Sequence, residues 1–174
     1  MIDSPIFFAA LTYTPATLGF LGCIKPKNIF PLAVLTLLGI AGLTLKALQT
    51  GYEISYKLMW IGGIEFTFDK YPFPLLFAAS ISLLIVFSTY RDKLSHYFYQ
   101  ICLVLLTALT VSFSAQDLIS IYIALELTGF CAFILIADRN DNKSLFHSFQ
   151  YLIGGGVAML IYLIGVVQGF QLSG

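Results

Sequence analysis

Charge is what this sequence has least of. Asp, Glu, Lys and Arg make up only 10% of the 174 residues, against 59% hydrophobic ones, where soluble domains carry about a quarter charged residues. A soluble globular fold is thereby excluded. Nine basic residues balance nine acidic ones, so there is no cationic surplus to neutralise phosphates, and nucleic-acid binding is excluded with it. Cysteine is also scarce. Cys23, Cys102 and Cys131 stand in apolar runs, with no Cys-x-x-Cys spacing and no histidine at ligand spacing; they read as small packing side chains rather than disulfide or metal partners. No cleavable leader is expected either. Nothing basic precedes the first apolar run and no small-residue cleavage motif follows it, so that run is expected to be a true span. There is no nucleophile and base pair, metal cluster or nucleotide motif. No cofactor is implied, and the chain is not expected to be catalytic alone.

What is present is apolar sequence in lengths that suit a bilayer. A hydrocarbon core of about 30 Å needs roughly 20 helical residues, because the backbone must satisfy itself there. Six stretches fit: Ile6 to Ile24, Ile29 to Leu48, Tyr71 to Tyr90, Phe98 to Ala115, Leu118 to Ala137 and Leu145 to Phe170. The expectation is an all-α membrane protein of about six transmembrane helices, forming a single transmembrane domain over residues 1–174. Pro15 should bend the first span, while Pro31 and Pro72 fall in first turns, where a missing amide hydrogen costs little. Alternate loops place Lys25, Lys27, Arg91, Lys93, Arg139 and Lys143 on one side and Lys57 and Lys70 on the other. By the positive-inside rule the first side is cytoplasmic and both termini face the opposite compartment. Lys46, near the outer end of span two, either snorkels to that interface or belongs to an ion path.

The outer loop from Gln49 to Lys70 alternates. Tyr52, Ile54, Tyr56, Leu58 and Trp60 share one face, as do Ile64, Phe66 and Phe68, with Gly62 and Gly63 between the two runs. This pattern predicts a β-hairpin with a Gly-Gly turn, lying on the outer helix ends; the alternative is an aromatic interfacial loop without pairing.

Eight of the nine acidic residues fall in loops or at span ends; the ninth, Glu126, lies near the middle of LISIYIALELTGFCAFILIA. An uncompensated carboxylate at that depth costs about 3 kcal/mol even on lenient insertion scales. It must be protonated, face water or pair with a cation, which is what a proton or cation relay requires; the alternative is a neutral glutamate bonded for structure alone. Tyr122 stands one turn earlier on the same face, and Asp117 lies just outside the span's start. Thr107, Thr110, Ser112 and Ser114 form a polar end to span four, for interhelical hydrogen bonds or a proton wire. His147 and Gln150, three apart at the start of span six, make either an interface or a relay. Gly154, Gly155 and Gly156 lack the Lys-Ser/Thr ending of a phosphate loop and should allow close helix approach or a local break.

From about Trp60 to Gly174 the chain resembles the N-terminal half of an antiporter-like membrane subunit. This family is shared by respiratory complex I, its photosynthetic relatives, membrane-bound hydrogenases and multi-subunit Mrp-type sodium/proton antiporters. The resemblance rests on FTFDKYPFPLLF before span three, on YRDKLSHYFYQICLVLLTALTVSFSAQDLISIYIALELTGFCAFILIA over spans four and five, and on FQYLIGGGVAMLIYLIGV in span six. The stretch from Ser114 to Leu127 is its most specific part. The resemblance implies that Glu126 is a key protonatable residue of a translocation path carrying protons or sodium ions. Tyr122, Asp117, His147, Gln150 and Lys46 are secondary candidates. It also implies a place in a bacterial or archaeal cytoplasmic membrane, or a thylakoid or organelle inner membrane. The sequence departs from the family where members continue into a discontinuous seventh span whose lysine partners this glutamate, and Gln150 stands where many carry lysine. The expectation is therefore a split or shortened subunit. Its partners would be lipid and other membrane subunits, one of them supplying the lysine-bearing spans. The competing expectation is a structural or assembly subunit without its own ion path.

Overall fold

Apolar runs with no water to bond must satisfy every backbone group internally, and here they do so as helices. A computed structural model describes residues 4–22, 29–51, 53–57, 65–68, 71–91, 95–137 and 141–173. Among these lie six helices: α1 (Ser4–Gly22), α2 (Ile29–Thr50), α3 (Pro72–Thr89), α4 (His96–Ser114), α5 (Leu118–Ile136) and α6 (Asn142–Ser173). Five of them, α2 to α6, are long and apolar enough to cross a membrane. The all-α membrane class expected from the sequence is the one observed. At 1.5 Å per residue the 32-residue α6 runs about 48 Å, well beyond a hydrocarbon core, whereas the 19-residue α5 runs about 28 Å. Pro72 opens α3 at its first turn, as expected, and Pro15 sits fully buried within α1.

The core centres on α4, which packs against α1, α2, α3 and α5. Its Tyr99, Cys102, Leu103 and Leu106 are buried together with Leu11, Leu37, Leu76 and Phe87. Small residues bring α1 close. A β-carbon at Gly19 would stand 3.1 Å from Val104 Cγ2 and 3.2 Å from the Gln100 carbonyl oxygen, so Gly19 lets two backbones approach in the manner of small-residue membrane interfaces. Gly19→Leu is expected to lower stability by about 1–3 kcal/mol through overpacking. The measurement is the unfolding midpoint in detergent against Gly39→Leu, where a β-carbon meets nothing within 4 Å. Equal midpoints would remove the close contact from the account.

The outer loop holds the expected hairpin, β1 (Ile54–Lys57) against β2 (Glu65–Phe68), antiparallel, with Ile54 opposite Phe68 and Tyr56 opposite Phe66. Cross-strand partners share a face, and this register sets the apolar positions of the two strands opposite one another. Gly62 and Gly63 themselves, with Tyr52, Leu58, Trp60 and Ile64, lie outside the described residues. Phe66 and Phe68 are buried, and Phe68 stacks on Phe73 at 5.9 Å. The hairpin is pinned to the α4–α5 link. Phe66 bridges Ala115, the Gln116 amide donates to the Glu65 carbonyl at 2.9 Å, and the Gln116 side chain donates to Thr67 Oγ1.

At the opposite end of the bundle Tyr99 packs edge-on against Phe30 and Phe87, and its hydroxyl donates to the Arg91 carbonyl at 3.2 Å. The Arg91 guanidinium sits 4.6 Å over the Phe30 ring, a cation–π contact that orders one of the basic residues assigned to the cytoplasmic side. Lys25, Lys27, Lys93 and Arg139 lie outside the described residues. In a background without native cysteines, Lys27→Cys and Arg139→Cys are expected to react with an impermeant maleimide from the cytoplasmic side only, and Ser55→Cys from the other side only. The reverse pattern would invert the orientation.

Candidate ion-path site

The site is built on α5, and α5 starts where its first amide donors find an acceptor. Asp117 is its N-cap, in extended conformation, and accepts from the Ser120 amide at 2.7 Å. Nine residues further on, about 13 Å along the axis, comes Glu126. Its carboxylate Oε1 accepts from the Tyr122 hydroxyl at 3.1 Å, the one-turn pairing expected from the sequence.

Glu126 opens on a groove of about 850 Å³ between α5 and α6. Gly129 and Phe130 line it from α5, and Tyr151, Gly155, Gly156, Met159 and Tyr162 from α6; it is apolar apart from Glu126, Thr128 and the tyrosine hydroxyls. Phe133, which helical spacing also places near Glu126, turns instead against Phe149 of α6 at 5.6 Å. Burial falls steeply towards this edge of the bundle. Among described residues α5 buries only Ala124 and Cys131, and α6 only Ser148 and Val166. Apolar exposure by itself says little in a membrane, where lipid covers it. A carboxylate on such a face is different, because lipid offers it neither a donor nor a countercharge.

The other candidates lie apart. His147 Nδ1 and Gln150 Oε1, three positions apart, approach to 3.2 Å on the exposed side of α6. Packing of Tyr122 on Tyr162 and of Phe133 on Phe149 sets the two helices antiparallel, which puts His147 about 15 Å along the axis from the level of Glu126. Lys46 is exposed near the end of α2, an element that packs on α1, α3 and α4. Asp117 caps a helix, while its Oδ2 is buried without a hydrogen-bond partner. One expectation needs correction. The hydroxyls of Thr107, Thr110 and Ser114 donate to the carbonyls of Leu103, Leu106 and Thr110 in their own helix, at 3.2, 2.8 and 2.7 Å, rather than to another helix, since the carbonyl one turn back is the nearest acceptor a helical hydroxyl has; the Ser112 hydroxyl is buried without a partner among the described residues. Gly154, Gly155 and Gly156 leave α6 unbroken, and a β-carbon at each finds nothing of the described residues within 4 Å, which leaves room there for close helix approach.

Tyr162 is the residue that sequence reading missed. Its ring stacks on Tyr122, centroids 6.2 Å apart and planes at 11°, and its hydroxyl donates to the Leu118 carbonyl at 3.2 Å. The spacing of Tyr151, Gly155, Met159 and Tyr162, four, four and three residues, would have marked one helical face.

The family described as NADH:quinone oxidoreductase/Mrp antiporter, TM, matches residues 115–174, the segment that carries α5, α6 and Glu126. The chain is 28% identical over 152 residues to NADH-quinone oxidoreductase subunit N of Dehalococcoides mccartyi, covering 82% of this chain and 30% of that protein. It is 30% identical over 158 residues to the subunit N of a Geobacillus species, covering 85% and 31%. To that of Desulfitobacterium hafniense it is 29% identical over 170 residues, covering 88% and 32%. The chain thus spans about a third of the length of the curated relatives it matches. With its ladder of apolar helices it is a multi-pass integral membrane protein. It is similar over most of its length to subunit N of NADH-quinone oxidoreductases, and over residues 115–174 to the complex I and Mrp-type antiporter family.

Proposed function

We propose that the chain forms part of a proton- or sodium-translocating subunit that works within a multi-subunit membrane complex, with Glu126 as its central protonatable residue. The observation that carries the reading is a carboxylate at the middle of a membrane helix, opening into a groove and held by a single tyrosine of its own helix. Such a group needs a proton, water or a cation to be stable at that depth. A basic side chain from membrane helices outside these 174 residues, a lysine above all, meets it across the groove. Asp117 and Lys46 at the hairpin end, and His147 and Gln150 at the other, would stand near the two mouths of the path, with Tyr122 at its centre. The naming of these relatives as NADH-quinone oxidoreductase subunits favours a redox-driven complex over a free-standing antiporter. Any nicotinamide or quinone chemistry then belongs to other subunits. The test is Glu126→Gln in the assembled complex. Assembly with wild-type translocation across the pH range would overturn the reading and leave a scaffold in its place.

A further inference from the structure

We infer that Tyr162 of α6 is a positioning residue for Glu126, acting through Tyr122, so that the packing of α6 on α5 sets how the carboxylate is presented to the groove. The inference deepens the reading of Glu126 as the ion-carrying group and rests on it for its functional consequence.

Tyr122 is only partly buried and sits on a helix face with few neighbours. A tyrosine so placed has more than one staggered side-chain position open to it, and hydrogen bonding to the carboxylate one turn on requires a particular one. What restricts the choice comes from α6. The Tyr162 ring lies parallel to that of Tyr122, offset at 6.2 Å, and its hydroxyl is tied to the Leu118 carbonyl at the start of α5. The ring is therefore fixed at both ends, by its own helix and by the neighbouring backbone. It forms a wall against which Tyr122 rests while its hydroxyl reaches Oε1 at 3.1 Å. Offset parallel stacking is the favourable arrangement for two such rings. A slide of α6 along α5 would strain the Leu118 bond and the stack together, and the hold on Oε1 would change with them. Movement of one helix is thereby converted into a change at a carboxylate on another.

The sequence makes this measurable. It has three glutamates and ten tyrosines. With δ-13C-glutamate and ζ-13C-tyrosine in the full chain in lipid bilayers, a solid-state NMR cross-peak between Glu126 and Tyr122 is expected. Its loss in Glu126→Gln and in Tyr122→Phe assigns it. Tyr162→Phe retains the stacked ring and should keep the cross-peak. Tyr162→Leu should lose it while the Tyr99 signal, from the aromatic cluster at the other end, stays in place. Were the Tyr99 signal to move as well, Tyr162→Met, which keeps bulk without a ring, is measured instead. A wild-type cross-peak in a ring-less variant with Tyr99 unmoved would overturn the inference. In the assembled complex Tyr162→Leu should slow ion turnover several-fold without changing the half-saturating ion concentration, and Tyr162→Phe should run near the wild-type rate. The two readings fail separately. Normal translocation by Glu126→Gln sinks the ion path whatever the spectra show, and a cross-peak that survives loss of the ring sinks the positioning role even where Glu126→Gln is inactive.

Discussion

Glu126→Gln is expected to assemble normally and to cut the complex's ion translocation by about tenfold or more at every pH. The substitution keeps the length, the shape and an oxygen that accepts the Tyr122 hydroxyl, so the 3.1 Å contact and the helix around it survive. What it removes is the ability to take up and release a proton and to hold a countercharge. Loss of a positioned acid or base typically slows proton transfer by about 100- to 10,000-fold, and leakage along parallel paths in a large complex reduces the observed factor. Coulomb interactions in a water-poor groove are far stronger than in solution, so no neighbouring dipole substitutes for the missing charge. Glu126→Asp separates the two roles. It restores the charge but draws the carboxylate one methylene back from Tyr122, and should recover only part of the rate. The comparison requires equal amounts of assembled complex, read from the yield of intact assembly before translocation is measured in vesicles.

How far the sequence could be read depended on whether the deciding interaction was local. Helix ends were legible to within a few residues because apolar length and the demands of lipid on the backbone fix them together; Leu118 begins α5 in both readings, and Asp117 before it is its cap. The two faces of the hairpin were legible from alternation alone. Glu126 announced itself by being a charge out of place, and Tyr122 by standing one turn away. The hydroxyls of α4 misled because sequence shows a polar cluster but not that those of Thr107, Thr110 and Ser114 turn back onto their own helix. Tyr162 stayed hidden for the opposite reason. It is 36 positions beyond Glu126, and only the antiparallel setting of α5 and α6 brings it to Tyr122.

Filling the groove from α6 is expected to leave this chain's own fold intact and to block assembly. A β-carbon at Gly155 meets nothing within 4 Å, and the same holds at Gly156 and at Gly129 across the groove. Gly155→Leu therefore adds a β-carbon that clashes with nothing in the described chain, and replacing glycine within a helix gains about 1 kcal/mol of helix propensity. The unfolding midpoint of the purified chain should stay level or rise. Lipid would cover a leucine as readily as a glycine, so a groove that faced only acyl chains would give such glycines no packing role. Glycines on both walls, beside a carboxylate that needs a countercharge, instead suit a helix backbone that approaches closely and brings a basic side chain to Glu126. Overpacking such a contact costs about 1–3 kcal/mol, which is roughly a ten- to hundredfold loss in association. Recovery of the assembled complex should fall accordingly for Gly155→Leu and remain unchanged for Gly39→Leu, a site on α2 equally free of neighbours. If Gly155→Leu assembles as the wild type does, no helix fills the groove, Glu126 has water or a proton as its only compensation, and the search for its partner must move from a lysine to the solvent.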